Sequence, residues 1–149
     1  MFDFLRAWLA RHRSSVSGAA GSISAVAQYL RFESELREDF FELAAQSGKP
    51  RGLRWISCDW LPEVLIVADQ DDQLISAFAT VNIRFEAVEG SEMEGVAAVT
   101  TIRHGSAVFH VQDGSWGSAG RVVFNMNPAE AAPHLVPGAV TIFHREPDG

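Results

Sequence analysis

The stretch LISAFATVNIRFEAV, residues 74–88, decides the fold because its polarity alternates with a period of two. Every second residue from Ile75 to Phe85 is apolar, and the residues between them are polar except for Phe78. Successive side chains of a β-strand point to opposite faces of a sheet. The stretch therefore predicts a long strand with one buried face.

Strand patterns continue on both sides of this stretch. The further predicted strands are residues 53–60 and 63–69, separated by Pro62, and residues 96–112, 120–126 and 139–144. Gly105 is expected to mark a bulge or bend in the strand at residues 96–112. Asp113-Gly114 is a hairpin signal, so it predicts a tight turn after that strand.

The N-terminal part of the chain has helical periodicity instead. Residues 23–46 carry an apolar stripe at three- and four-residue steps: Val26, Tyr29, Phe32, Leu36, Phe40 and Leu43. Gly48 and Pro50 are expected to end this helix. A shorter amphipathic helix is predicted at residues 2–13, joined by a Ser- and Gly-rich linker at residues 14–24. Asn127-Pro128-Ala129-Glu130 is typical of a capped helix start and predicts one helical turn.

Helices followed by strands favour an α+β fold, in which the helices pack on an antiparallel meander of five to six strands. The predicted domain organisation is an amphipathic helix with its linker at residues 1–22 and a single domain at residues 23–149. A long helix before a meander is similar to cystatin-like and NTF2-like architecture. The likeness is one of architecture alone, so it implies no functional residues.

Composition restricts partners and compartment. The chain has 149 residues and a formal net charge of −7, which argues against nucleic acid as a partner because phosphate contacts need clustered basic residues. The single cysteine, Cys58, cannot form an internal disulfide, and no Asn-x-Ser/Thr acceptor is present. Both features favour the cytoplasm. Cys58 lies in an apolar run and is expected to be a small buried side chain.

The sequence contains none of the common catalytic signatures, which favours a protein that is not an enzyme. His104 and His110 lie on the second long strand, and an unbroken strand would place both on one face. If the loop at residues 89–95 is symmetric, His104 lies opposite Val81, on the apolar face of the alternating strand. Trp55, His104 and His110 are therefore the candidate pocket residues. No metal site or cofactor is expected, because the histidines lack ligand spacing.

Residues 1–13 form the candidate interface. On a helix, Phe2, Phe4, Leu5, Trp8 and Leu9 share one apolar arc, and arginines border that arc. Leaving such an arc in water is costly, so something must cover it. Self-association in a symmetric homodimer is the preferred interpretation. Attachment to a membrane surface is not favoured, because the chain as a whole is acidic.

Three functions remain open on the sequence alone. The preferred hypothesis is a non-enzymatic binding or oligomerisation module, because long strands have edges that must be covered or paired. The second hypothesis is a pocket for a small molecule, with or without catalysis, between the helix and a curved sheet. The third is peripheral membrane attachment through residues 1–13. No motif in the sequence identifies the partner, whether it is a protein or a small molecule.

Overall fold

A computed structural model describes residues 18–71, 73–90 and 102–147. In that part of the chain, helix α1 (Gly18–Gln46) precedes strands β1 (Leu53–Ala68), β2 (Ile75–Ala87), β3 (Ile102–Gln112), β4 (Ser115–Gly117) and β5 (Val122–Phe124), and helix α2 (Pro128–Leu135) precedes strand β6 (Val140–Arg145). This order confirms the α+β class. The predicted helix at residues 2–13, with the candidate interface residues, lies outside the described residues.

The six strands form one antiparallel sheet in the order β4-β3-β2-β1-β6. Strands β4 and β5 pair with different parts of β3: β4 with residues 110–112 and β5 with residues 105–107. The two long central strands, β1 and β2, pair with each other from Leu53↔Ala87 to Ala68↔Ile75. Strand β6 is shorter and pairs with β1 only between Val64 and Ala68. Half of β1 therefore has a described neighbour on one side only.

Strand β1 is continuous, so the prediction of two strands separated by Pro62 is wrong. The register with β2 shifts between Trp60 and Val64, and again between Trp55 and Ser57. Proline has no backbone N–H to donate, and a register shift is where a strand tolerates that loss. Pro62 thus lies at a register shift of β1 without ending the strand.

Helix α1 lies across the inner face of the sheet. It buries Ala25, Tyr29, Leu36, Phe40 and Ala44 against the alternate apolar residues of β2 from Ile75 to Phe85, which confirms the predicted strand face. Two members of the predicted helical stripe are placed wrongly: Phe32 and Leu43 are each 44% exposed. Phe32 has non-helical dihedral angles (φ −104°, ψ 15°) and lies at a kink in α1, where the helical periodicity behind the prediction is interrupted.

Helix α1 begins at Gly18, so residues 18–24 belong to the helix and the linker prediction is wrong for them. Their Gly and Ser content gives a low helix propensity, but packing routinely overrides propensity. Directly after these residues, the Nε1 of Trp116 in strand β4 donates a hydrogen bond to the Ala25 carbonyl at 2.8 Å. Strand β4 thereby holds the first turns of α1 on the sheet.

The outer face of the sheet is also partly buried, although the alternation predicted a solvated face. Ala131 and Ala132 of helix α2, together with Val136 directly after it, cover this face and pack on Phe78 and Val108. Phe78, the exception in the alternation, is fully buried there. The predicted capping box of α2 is confirmed: Asn127 accepts from the Glu130 N–H at 2.9 Å, and Glu130 accepts from the Asn127 N–H at 3.1 Å.

Gly105 does not mark a bulge, because the β2–β3 register runs unbroken from Ser76↔His110 to Arg84↔Ile102. Its role is to allow close packing. A Cβ atom at Gly105 would lie 2.7 Å from the Val122 Cγ1 and 2.9 Å from the Val123 carbonyl oxygen. Glycine therefore permits β5 to pair here. The predicted Asp113-Gly114 hairpin is present, with φ of 53° and 76° at its two turn residues.

Candidate functional site

The three candidate pocket residues do not meet in one site. Trp55 is 7% exposed and belongs to the inner core, where its ring lies edge-on to Phe85 at 5.0 Å. Its Nε1 donates a hydrogen bond to the Lys49 carbonyl at 2.8 Å. One border of this ring lines a cavity of about 520 Å³, which Lys49 and Arg121 also line. His104 and His110 lie on the opposite face of the sheet.

His104 is exposed and lies opposite Asn82, so the expectation of a core histidine opposite Val81 is wrong. Its Nδ1 lies 3.2 Å from the Asn82 Oδ1. The expectation assumed a symmetric connection before the strand, and the observed register differs from that pairing by one residue. Because side chains alternate along a strand, a shift of one residue moves His104 to the other face.

His110 lies on the same face as His104 but six residues further along, where the sheet is covered. Its Nδ1 is 2.9 Å from the Ser76 Oγ, and the Ser76 side chain is fully buried. A substrate could not reach that oxygen, so the pair does not act as a nucleophile and base. Burial, and secondly the charge of Arg121, lowers the pKa of His110 to about 4. The neutral imidazole therefore serves the packing of this face.

A second opening lies between α1 and the open half of β1. We call it the α1/β1 groove; it has a volume of about 540 Å³ and is lined by Ser34, Arg37, Glu38, Phe41, Glu42, Ser57, Cys58 and Trp60. The five helical residues recur at three- and four-residue steps, which places them on one flank of α1. The remaining three come from β1, just before its register shift at residues 60–64.

The floor of the α1/β1 groove is apolar and fixed. The Trp60 ring lies edge-on to the core residue Phe40 at 5.4 Å and tilted against Phe109 at 6.2 Å. Phe41 packs edge-on to Trp55 at 6.5 Å. These contacts hold both aromatic rings in place before any ligand arrives, so little side-chain freedom would be lost on binding.

Cys58 lies in the groove but is a poor nucleophile. Burial, and secondly the charge of Asp59, raises the pKa of the Cys58 thiol to about 12. The thiolate is the reactive form of cysteine, and a thiol with such a pKa is almost wholly protonated at neutral pH. Cys58 is half-buried and contributes apolar surface to the groove, whereas the sequence predicted a buried side chain.

Behind the groove, an ionic cluster ties α1 to β1 and β6. The Glu33 carboxylate accepts from Arg37 at 3.1 Å and from Arg145 at 2.6 Å, and the Arg145 Nε donates to the Pro62 carbonyl at 2.6 Å. The Arg37 guanidinium also lies over the Trp60 ring, 5.1 Å from its centroid. The Arg37 guanidinium thus shares the Glu33 carboxylate with Arg145 and lies over the groove floor.

The carboxylates of the groove wall are unbalanced by comparison. Glu38 and Glu42 lie one turn apart on the exposed flank of α1, and neither has an ion-pair partner among the described residues. Like charges at this spacing destabilise a helix slightly. The rim of the groove is therefore acidic.

The strand edge beside the groove is unpaired in the described part of the chain. On its β2 side, residues 53–60 of β1 are paired; on the other side, β6 begins to pair only at Val64. An open edge presents N–H and C=O groups in a row, and proteins that leave one bare invite pairing with another chain. The groove therefore combines a strand edge, an apolar floor and an acidic rim.

Sequence reasoning missed this groove because it treated β1 as two short strands. An unused signal was Phe41 directly after Phe40, since two adjacent aromatics on a helix face different directions, and the second needs its own apolar neighbour. Among the described residues, no three His, Cys, Asp or Glu side chains come close enough to hold a metal ion. The helices described here include none that is long and apolar enough to cross a membrane.

Comparison with known proteins finds no match: no family model, curated protein or solved structure is significantly similar to this chain. The cystatin-like or NTF2-like architecture therefore remains an expectation from the order of elements.

Proposed function

We propose that this protein is a non-enzymatic binding module and that the α1/β1 groove is where it takes a polypeptide segment. The observation that carries the proposal is the open edge of β1 at residues 53–60, directly beside an apolar floor. Extended segments bind such edges by main-chain hydrogen bonds, and alternate side chains enter the adjoining pocket. The edge supplies affinity, and the floor supplies selectivity for apolar residues.

The chemistry of the candidate residues supports binding over catalysis. The Cys58 thiol stays protonated, the Ser76–His110 pair is inaccessible, and His104 has only Asn82 as its described partner. General acid–base catalysis needs a titrating group within reach of substrate. The groove offers only Glu38 and Glu42 as carboxylates, and both lie exposed on an open helical flank.

A pocket for a small molecule is the second candidate, and one observation favours it. Lys49 and Arg121 both line the cavity beside Trp55, so an apolar anion would fit its charge. The indole N–H of Trp55 is already bonded to the Lys49 carbonyl, which leaves less polar recognition for a ligand. The groove beside β1 has the more complete set of binding features.

The test of the proposed function is to select peptides from a random displayed library against the full chain. Synthetic copies of the selected peptides are then measured by fluorescence anisotropy at low protein concentration. The variant Ser34→Trp fills the groove from an exposed position on α1 and should weaken binding at least about tenfold, equivalent to 1.4 kcal/mol. Ser24→Trp, at an exposed site on the same helix, is the matched control and should bind like the unmodified chain.

Peptides that bind both variants equally would contradict the proposed site. Failure of every selected peptide to bind the full chain would contradict the proposed function itself. Folding of both variants is checked by circular dichroism and by thermal unfolding.

A further inference from the structure

We propose that the segment taken by the α1/β1 groove is residues 1–13 of a second copy of this chain, so that two copies exchange N-terminal segments. This inference rests on the proposed function and names its partner.

Charge complementarity is the first argument. The rim of the groove carries Glu38 and Glu42, whose charges no described residue balances. Residues 1–13 carry three arginines, Arg6, Arg11 and Arg13, against the single acid Asp3. They are the basic end of an otherwise acidic chain with a net charge of −7. Opposite charges placed this way speed encounter and disfavour incorrect partners.

Apolar complementarity is the second argument. The groove floor is formed by Trp60 and Phe41, both held by core aromatics. Residues 1–13 carry Phe2, Phe4, Leu5, Trp8 and Leu9 on one predicted arc, and such side chains each gain roughly 1.5–3 kcal/mol on full burial. The volume of about 540 Å³ is suitable for a few of them. The groove floor would therefore shield part of the apolar arc of residues 1–13 from water.

Distance favours a second copy over the same copy. The groove residues of α1, at positions 34–42, lie about 24–36 Å along the helix from Gly18, at 1.5 Å per residue. If residues 1–13 form the predicted helix, a fully stretched connection to Gly18 adds about 17 Å, and Trp8 then reaches only about 25 Å. Leu9 falls shorter still, and only the far end of the arc, Leu5 to Phe2, would reach about 29–34 Å in the same copy. A neighbouring copy can present the whole arc without stretching its connection.

Direct pairing of two β1 edges is disfavoured by the same charges. A two-fold axis between antiparallel β1 strands would place both α1 helices on one face, with their groove flanks facing each other. Glu38 and Glu42 of one copy would then face the same two acids of the other. A basic segment between them relieves that repulsion. The exchange of residues 1–13 is also reciprocal, so it closes after two copies.

A cysteine cross-link tests the contact in the full chain. The variant Leu9→Cys/Ser34→Cys/Cys58→Ser places one thiol on the segment and one on the exposed groove wall. Oxidised glutathione is added to a mixture of ¹⁴N- and ¹⁵N-labelled protein, and disulfide-linked tryptic peptides are identified by mass spectrometry. We expect links between positions 9 and 34 that join differently labelled copies. Leu9→Cys/Ser24→Cys/Cys58→Ser is the matched control and should link much less.

A charge exchange tests the energetics. Glu38→Arg/Glu42→Arg should raise the dimer dissociation constant at least about tenfold, measured by light scattering across a dilution series. Adding Arg6→Glu/Arg11→Glu to that variant should restore most of the affinity, which a merely structural effect of the helix substitutions could not do. Circular dichroism verifies that each variant is folded.

The outcomes are separable. A full chain that is monomeric at high micromolar concentration, or links found only within one copy, would overturn the exchange between copies. Selected peptides that still bind the groove in that case leave the proposed binding function standing. Association that is indifferent to the charge exchange would also overturn this inference, because it would place the contact elsewhere.

Discussion

At the scale of single residues, His110 links the packing of the outer face to pH. Its pKa is lowered to about 4 by burial and by Arg121, whereas an unfolded histidine titrates near 6.5. The unfolded chain therefore binds the proton more readily between these two values. Stability that is complete above about pH 6.5 is lost as the pH falls toward about 4, by at most on the order of 3 kcal/mol.

Urea unfolding between pH 8 and pH 4 measures this loss. The variant His110→Asn places an amide beside the Ser76 hydroxyl, and this side chain cannot take up a proton and become charged. Its stability should fall less between pH 6.5 and pH 4 than that of the unmodified chain, because the unfolded variant can no longer take up a proton at position 110. Parallel pH profiles for the two proteins would show that His110 is not held neutral by the fold.

Cys58 allows a second measurement at the residue scale, because it is the only cysteine in the chain. With its pKa raised to about 12, its thiolate is scarce at pH 8. Alkylation by iodoacetamide should be at least about tenfold slower in the native protein than in urea, since reactivity follows the thiolate fraction. Equal rates in the two states would contradict the buried, apolar environment assigned to the groove floor.

At the scale of elements, the helix–sheet contact depends on Phe40. This ring is fully buried and lies within 6.0 Å of the Trp55, Trp60 and Phe109 rings, measured between centroids. Phe40→Ala should lower the free energy of unfolding by roughly 3–5 kcal/mol, as large-to-small core substitutions do.

Phe32 is the matched control on the same helix, because it is 44% exposed. Phe32→Ala should cost less than about 1 kcal/mol in the same urea titration, since most surface substitutions have small effects. A loss of that small size for Phe40→Ala would contradict the assigned core, and a large loss for Phe32→Ala would contradict its outward placement.

The sequence correctly predicted those elements that depend on residues close to one another in the chain. The alternation from Ile75 to Phe85 is present in β2, and the Asn127–Glu130 capping box and the Asp113-Gly114 turn are where the sequence places them. Features set by distant contacts were not predictable. Gly105 is small because β5 crosses beside it, and residues 18–24 are helical where Trp116 of β4 bonds to the next turn.

At the scale of the whole molecule, the candidate site follows from a mismatch of lengths. Strand β1 spans residues 53–68, but β6 pairs with it only over residues 64–68, and the Glu33–Arg145 ion pair fixes that end of β6 to α1. The remaining edge opens beside the flank of α1 and creates the groove. No local sequence pattern encodes the length of a partner strand, so Trp55, His104 and His110 could be nominated from sequence while the groove could not.

The charge distribution of the whole chain leads to the last prediction. The net charge is −7 and the N-terminal segment is basic. The proposed self-association through Arg6 and Arg11 should therefore weaken as salt increases, because the Debye length falls from about 14 Å at 50 mM to about 4 Å at 500 mM. Light scattering in a sodium chloride series measures this dependence. In parallel, the full chain is mixed with vesicles of phosphatidylserine and phosphatidylcholine at low salt and centrifuged. The acidic body should be repelled by the anionic surface, so the protein should stay in the supernatant. Sedimentation that disappears in Arg6→Glu/Arg11→Glu, together with a dimer affinity insensitive to salt, would instead assign residues 1–13 to a membrane surface and leave the α1/β1 groove for another segment.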